Sequence, residues 1–225
     1  MEPELYRMKP ASLTIHFARL DAPGSDPGAT DGMEHRTLGY LDALPAATRS
    51  LAALKLDAIV LGHTAVSYLS GFANEPALLE RLAQVAGPRS FTVARAVGTA
   101  LRHLGIRRLS LATPYPEAIS SAGRAYWQAA GFEVVAHRML DGVANIYEES
   151  EERAYALGRA ADTATADAVL ISGTGLPTAG IVERLEHDLG KPVVTSQAAA
   201  LWHALRLIGL AEPVHGYGRL LASLG

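Results

Sequence analysis

The chain has 225 residues, of which 49% are hydrophobic and 19% charged, and a formal net charge of -3. That is a globular composition, large enough to bury a substantial core as one α/β domain or two small lobes, and its charge argues against a nucleic-acid partner. Cysteine is absent, which excludes disulfides, thiolate-bound zinc, iron–sulfur clusters and a cysteine nucleophile.

No apolar run approaches the ~20 residues needed to span a bilayer, so no membrane segment is expected. The opening Met1-Glu-Pro-Glu-Leu-Tyr6 has no basic region followed by an apolar stretch, so no secretory signal is expected and a cytoplasmic setting is the default. Residues 13–18 read as a strand, and residues 21–32 are dense in turn formers, as in a surface loop or lid. Residues 38–54 have helical spacing, with Pro45 marking a new first turn or a kink. A strand at 57–64 precedes a helix at 76–85, an extended segment at 90–93 and a helix at 97–104 closed by Gly105. The strand at 107–113 is stopped by Pro114-Tyr115-Pro116, and the helix at 117–130 ends on Gly131. A strand at 132–137, a polar-faced helix at 149–164, a strand opening at Asp167, a helix at 181–189, a strand at 192–196 and a helix at 198–208 complete the pattern. Such alternation implies parallel strands joined by right-handed crossover helices. The expected organisation is a first lobe of residues 1–90 plus about 198–225, and a second lobe of residues 91–197.

One motif occurs twice. Asp57-Ala-Ile-Val-Leu-Gly-His-Thr64 recurs as Asp167-Ala-Val-Leu-Ile-Ser-Gly-Thr174. Each is a short aliphatic run without alternation, which reads as a strand buried on both faces. Each then breaks into small or hydroxyl-bearing residues, the carboxyl edge where open α/β sheets meet ligands. Two such edges from two similar halves predict one site in the cleft between them. His63 in the first copy is matched by Gly173 in the second, so only one wall carries a titratable group.

His63 is the leading candidate for proton transfer, because imidazole titrates closest to neutrality; the alternative is a histidine that hydrogen-bonds a loop carbonyl. Thr64, Ser172, Gly173, Thr174 and Gly175 offer hydroxyls and amides suited to a carboxylate or enolate oxygen, the alternative being ordinary helix capping. Tyr115, stiffened by two prolines, is a candidate donor or acid, and Arg95 a candidate carboxylate clamp; packing and a solvated helix start are their plain readings. Gly173-Thr-Gly-Leu-Pro-Thr-Ala-Gly180 lacks a P-loop lysine and the last glycine of a dinucleotide fingerprint, so nucleotide binding is rejected. The histidines lack metal spacing, so no metal site is expected, and no nucleophile elbow suggests serine hydrolysis.

Leu61-Gly-His-Thr-Ala-Val-Ser-Tyr-Leu-Ser-Gly71, Leu111-Ala-Thr-Pro-Tyr-Pro116, Leu170-Ile-Ser-Gly-Thr-Gly-Leu-Pro-Thr178, Lys191-Pro-Val-Val-Thr-Ser196 and Gly216-Tyr-Gly-Arg-Leu220 together resemble the aspartate/glutamate racemase superfamily. Within it they are similar to the branch of maleate cis-trans isomerases and arylmalonate decarboxylases. The resemblance implies an α/β fold of two pseudo-symmetric lobes with parallel sheets and flanking helices, and a cofactor-free site between them for a small carboxylate. By position, His63 stands where the family has its first cysteine and Gly173 where it has its second. Thr64, Tyr115 and Thr174 match positions that bind carboxylates or stabilise an enediolate. With both thiols missing, a lyase or one-base isomerase is implied sooner than a two-thiol racemase. The alternatives are a non-catalytic carboxylate-binding protein and an accessory enzyme like the decarboxylase-like protein of ectoine utilisation. A homo-oligomer is compatible with the chain. The resemblance also implies an opening strand and a carboxylate-binding loop before the equivalent of Glu2-Pro-Glu-Leu-Tyr6; either the first lobe lacks that strand or, the favoured expectation, the natural start lies upstream of Met1.

Overall fold

A computed structural model describes residues 1–21, 26, 28–87, 89–210 and 212–225; the turn-rich stretch expected at 21–32 lies partly outside them. In chain order the elements are α1 (Glu2–Met8), α2 (Met33–Ala52), β1 (Ile59–Leu61), α3 (Thr64–Ser70), α4 (Glu75–Ala86), β2 (Ser90–Thr92), α5 (Val93–His103), β3 (Arg108–Thr113) and α6 (Glu117–Ala129). They continue as β4 (Glu133–Met139), α7 (Glu151–Ala161), β5 (Ala168–Ile171), α8 (Val182–Leu189), β6 (Val193–Thr195), α9 (Ser196–Leu207) and α10 (Arg219–Ala222). Every strand pair is parallel: β1 pairs with β2 in one sheet, and a second sheet has the order β4-β3-β5-β6. The architecture is the expected α/β fold of parallel sheets with flanking helices.

The duplicated motif is visible in three dimensions. Its two aliphatic runs become β1 and β5, which pair with β2 and β6. Each partner strand ends on a threonine that caps the next helix: Thr92 accepts from the Arg95 amide at 3.0 Å and Thr195 from the Ala198 amide at 3.3 Å. The helices so started, α5 and α9, pack on each other through small and aliphatic residues including Ala94, Val97, Ala198 and Leu201. β5 is buried along its whole length, as a strand flanked on both sides by β3 and β6 must be. Leu109, Leu111 and Leu170 are fully buried around it, each contributing about 1.5–3 kcal/mol. Asp167, the first residue of the second copy, accepts the amides of Arg107 and Arg108 and fixes the start of β3 beside β5.

Several expectations are corrected. Residues 13–18 form no strand and join no sheet; Leu13, Ile15 and Phe17 pack against the core, and no neighbouring strand among the described residues offers them a ladder. α2 begins at Met33, five residues before expected, and runs straight through Pro45. Proline removes the donor that the Leu41 carbonyl would use; Arg81 of α4 supplies one instead, at 3.2 Å, and the buried Tyr40, Leu44 and Thr48 hold the helix on the core. α5 begins at Val93, ahead of the expected 97. The short helices α1, α3 and α10 carried no signal in the periodicity.

Candidate active site

The carboxyl edges of β1 and β5 meet. Beyond β1, His63 occupies the N-cap of α3 in an extended conformation, and its side chain caps nothing. Beyond β5, Thr174 donates its hydroxyl to the Gly62 carbonyl at 3.0 Å, so the two copies of the motif are tied directly. Ser196, at the start of α9, forms the second tie: its oxygen accepts from the Gly173 amide at 3.1 Å and from the Thr64 hydroxyl at 3.3 Å. Gln197 braces the same loop by donating to the Leu176 carbonyl at 2.6 Å. Neither Thr64 nor Thr174 caps a helix; both join the two halves.

A cavity of about 1220 Å³ opens here; Gly62, His63, Tyr40, Tyr115, Thr174 and Gly175 line it, as do residues 13–21 and Ile59–Leu61. Thr64, Ser172 and Gly173 are buried one layer behind that wall. Arg95 is not brought to the site. α5 buries Val93, Ala94, Val97 and Leu101, which turns Arg95 to solvent on the first turn. The arginine near the site is instead Arg36, buried on α2 one turn before Tyr40. It donates to the Asp31 carbonyl at 3.1 Å and to that of Ala29, and no acidic side chain pairs with it among the described residues. The buried stripe Arg36, Tyr40, Leu44 and Thr48 has helical spacing, a signal available to sequence reading once the helix start is placed at Met33.

His63 packs against Tyr40, with ring centroids 5.0 Å apart. Its Nδ1 is buried with no hydrogen-bond partner among the described residues, so no loop carbonyl accounts for that nitrogen. Burial, reinforced by the nearby Arg36 charge, lowers its pKa to about 4. The imidazole is therefore neutral at physiological pH. Burial pushes Tyr115 upwards, opposed by the hydroxyls of Thr64 and Ser172, so its phenol stays protonated and can only lend, not lose, its proton. Linkage fixes the sign of a pH effect: the unfolded chain protonates His63 near 6.5 while the folded chain refuses the proton until about 4. The His63 contribution to stability is present above pH ~6.5 and is lost as pH falls through ~4. In urea titrations at pH 7 and pH 4.5, His63→Gln should lose less stability between the two conditions than the wild type.

The position matched to His63, behind the cavity lining, is closed to side chains. Gly173 has φ +126°, and a Cβ there meets Pro114 Cγ at 2.8 Å and lies 3.7 Å from the Tyr115 hydroxyl. Gly173→Ala should therefore cost about 1–3 kcal/mol through backbone strain and the clash, read as a lower denaturation midpoint. The asymmetry of the motif is thus built into the backbone as well as the composition. No group of three or more His, Asp or Glu that could hold a metal ion occurs among the described residues, and no helix in them is long and apolar enough to cross a membrane.

The family model described as arylmalonate decarboxylase matches residues 32–221. The chain is 32% identical to the arylmalonate decarboxylase of Bordetella bronchiseptica over 168 residues, covering 72% of this chain and 70% of that protein. It is 34% identical to a maleate isomerase of Nocardia farcinica over 125 residues, covering 54% of this chain and 49% of that one. Among solved structures, it resembles the Nocardia farcinica maleate cis-trans isomerase variant with a covalently bound succinylcysteine intermediate, with a TM-score of 0.87, 22% identity and coverage of 98% and 91%.

Proposed function

Because the chain belongs to the arylmalonate decarboxylase family, we propose that it is a cofactor-independent lyase or isomerase acting on a small carboxylate through an enolate-type intermediate, with His63 moving the proton. The observation that carries this reading is the placement of the neutral His63 imidazole, with a buried Nδ1, in the cavity that Tyr115, Thr174 and Gly175 also line.

The chemistry follows from where charge develops. In a decarboxylation the bond from Cα to the departing carboxylate breaks, carbon dioxide leaves, and the electron pair enters the remaining carboxylate as an enediolate. In an isomerisation at a saturated α-carbon a base takes the α-proton and an enediolate of the same kind results; maleate has no such proton, and its cis-trans isomerisation does not follow this route. Tyr115 and the amides around Thr174 and Gly175 are the donors we assign to its oxygens, since fixed dipoles stabilise developing charge most in a site that excludes water. A neutral His63 serves directly as the base of the second route. In the first, a bound dianion raises the pKa of the adjacent imidazole, and the imidazolium so formed returns its proton to Cα. Arg36 is the nearby positive charge that favours an anionic guest. The succinylcysteine named for the Nocardia farcinica isomerase has no counterpart route here, because this chain has no cysteine.

The test is proton NMR in D₂O with phenylmalonate, maleate, phenylacetate and aspartate. Loss of substrate, or deuterium entering at Cα, is the expected result. Saturable line broadening without turnover would replace the enzyme by a carboxylate-binding protein, and no response to any of them would overturn the reading.

A further inference from the structure

Behind the cavity wall lies a buried hydrogen-bonded chain whose direction is fixed at one end. The Trp127 indole, on α6, donates to the Tyr68 hydroxyl at 2.8 Å; an indole N–H can only donate. The Tyr68 hydroxyl in turn lies 2.7 Å from the Ser172 hydroxyl. If Ser172 donated to Tyr68, the phenol proton would be left in the core with no acceptor among the described residues, at the cost of an unmade buried hydrogen bond. The proton order is therefore Trp127 to Tyr68 to Ser172, leaving the Ser172 proton to point onward. Tyr115 is the hydroxyl beside this chain: its ring stands edge-on to that of Tyr68, and its oxygen lies 3.7 Å from the Cβ position of Gly173, the residue after Ser172; Tyr115 alone of the four lines the cavity. All four are at least nine-tenths buried, with Trp127 1%, Tyr68 2%, Ser172 0% and Tyr115 5% exposed. Tyr68 is held edge-on to Tyr115 and Trp127 at centroid distances of 6.3 and 6.1 Å. Gly123 leaves room for its ring, since a Cβ there would lie 2.7 Å from Tyr68 Cε2.

We infer that Tyr68 and Trp127 are positioning residues: they turn the Ser172 proton towards Tyr115, to be accepted by that phenol as it gives its own hydrogen bond to a substrate oxygen. A chain of aligned hydroxyls polarises each member along its length, so the donor presented to an enediolate is stronger than an isolated phenol. The high pKa of Tyr115 keeps that proton in place. The inference rests on the proposed function, and neither Tyr68 nor Trp127 touches the ligand.

A double-mutant cycle tests it. Tyr115→Phe, Tyr68→Phe and the double variant are compared in kcat and KM with whichever of phenylmalonate and maleate is turned over, or in Kd for phenylacetate if neither is. Tyr115→Phe should lower kcat, or weaken binding, about tenfold, and Tyr68→Phe about three- to tenfold with KM within about twofold of wild type. The double variant should be no worse than Tyr115→Phe alone, which a merely structural role for Tyr68 would not produce. Trp127→Phe should behave as Tyr68→Phe does. Additive losses, or a silent Tyr68→Phe beside a damaged Tyr115→Phe, would overturn the relay while leaving the function intact. A silent Tyr115→Phe would remove both the relay and the role given to that phenol. If the wild type neither turns over nor binds any of these carboxylates, the functional reading fails by itself. The relay is then judged on the Trp127 indole N–H resonance, which must move upfield in Tyr68→Phe; an unmoved resonance overturns it.

Discussion

Replacing His63 by alanine is expected to lower turnover by about 10²–10⁴-fold, the loss that follows removal of a general acid or base. His63 lines the cavity together with Tyr115 and Thr174, while the other imidazole there, His16, lies on the 13–21 segment; the partner position, Gly173, offers no atom that could take its place. The pH dependence separates this role from a packing role. With the imidazole held near 4 by burial and by Arg36, kcat/KM for a base-catalysed exchange should be flat from neutrality down to about pH 5. It should then fall through a midpoint near 4 as His63 becomes protonated. Arg36→Gln removes the neighbouring charge and should move that midpoint upwards, towards the ordinary histidine value of ~6.5. Carboxylates (Glu2, Glu4, Asp21, Asp57, Glu149), Arg19, Lys55 and His16 also line the cavity, so the midpoint is to be read as the difference between the variant and the wild type. Because His63 lines the cavity, makes no hydrogen bond through Nδ1 and meets Tyr40 at a tilt, the alanine variant should stay folded. A His63→Ala protein that exchanges substrate protons at the wild-type rate would remove the imidazole from the mechanism.

Much of this arrangement was legible in the chain because the motif is written twice. The aliphatic runs of β1 and β5 are too short for helices and too uniformly apolar for an exposed surface, so their buried, parallel placement follows from composition alone. The meeting of His63, Thr64, Gly173 and Thr174 follows from the pairing of two carboxyl edges. What the sequence did not disclose depends on partners far along the chain. Residues 13–18 alternate as a strand does, yet a strand exists only where a neighbour supplies a ladder. Pro45 should have stopped α2, and an arginine on another helix, Arg81, meets the orphaned carbonyl. Ser196 ties Thr64 to Gly173 from a distant position in sequence, and Tyr68 reaches Ser172 across the molecule; neither juxtaposition has a local signature. Arg95 and Arg36 show the same limit in reverse. Both sit on helices near the site, and only the packing face of each helix decides which guanidinium turns inward.

Replacing Glu4 by alanine should destabilise the protein by on the order of 3 kcal/mol, the largest loss we expect from a single residue outside the cavity chemistry. Glu4 lies on α1 and is 6% exposed. Its Oε2 accepts the amide of Thr178 at 2.6 Å and that of Ala179 at 2.5 Å, with the Thr178 hydroxyl at 3.4 Å. Thr178 and Ala179 are themselves buried, so alanine at position 4 would leave two backbone donors unmet in the core, each costing about 1–3 kcal/mol. Glutamine offers one acceptor oxygen in the same place and should recover part of the loss, so the order of urea midpoints should be wild type, Glu4→Gln, Glu4→Ala. The consequence extends to the site. The turn that Glu4 holds follows directly on Thr174 and Gly175, whose loop is tied to Gly62 by the Thr174 hydroxyl. Releasing the turn loosens one wall of the cavity while His63 remains in place on the other. Carboxylate affinity should therefore fall in Glu4→Ala at temperatures well below its melting point, and an unchanged affinity there would show that the Gly173–Gly175 wall stands without α1.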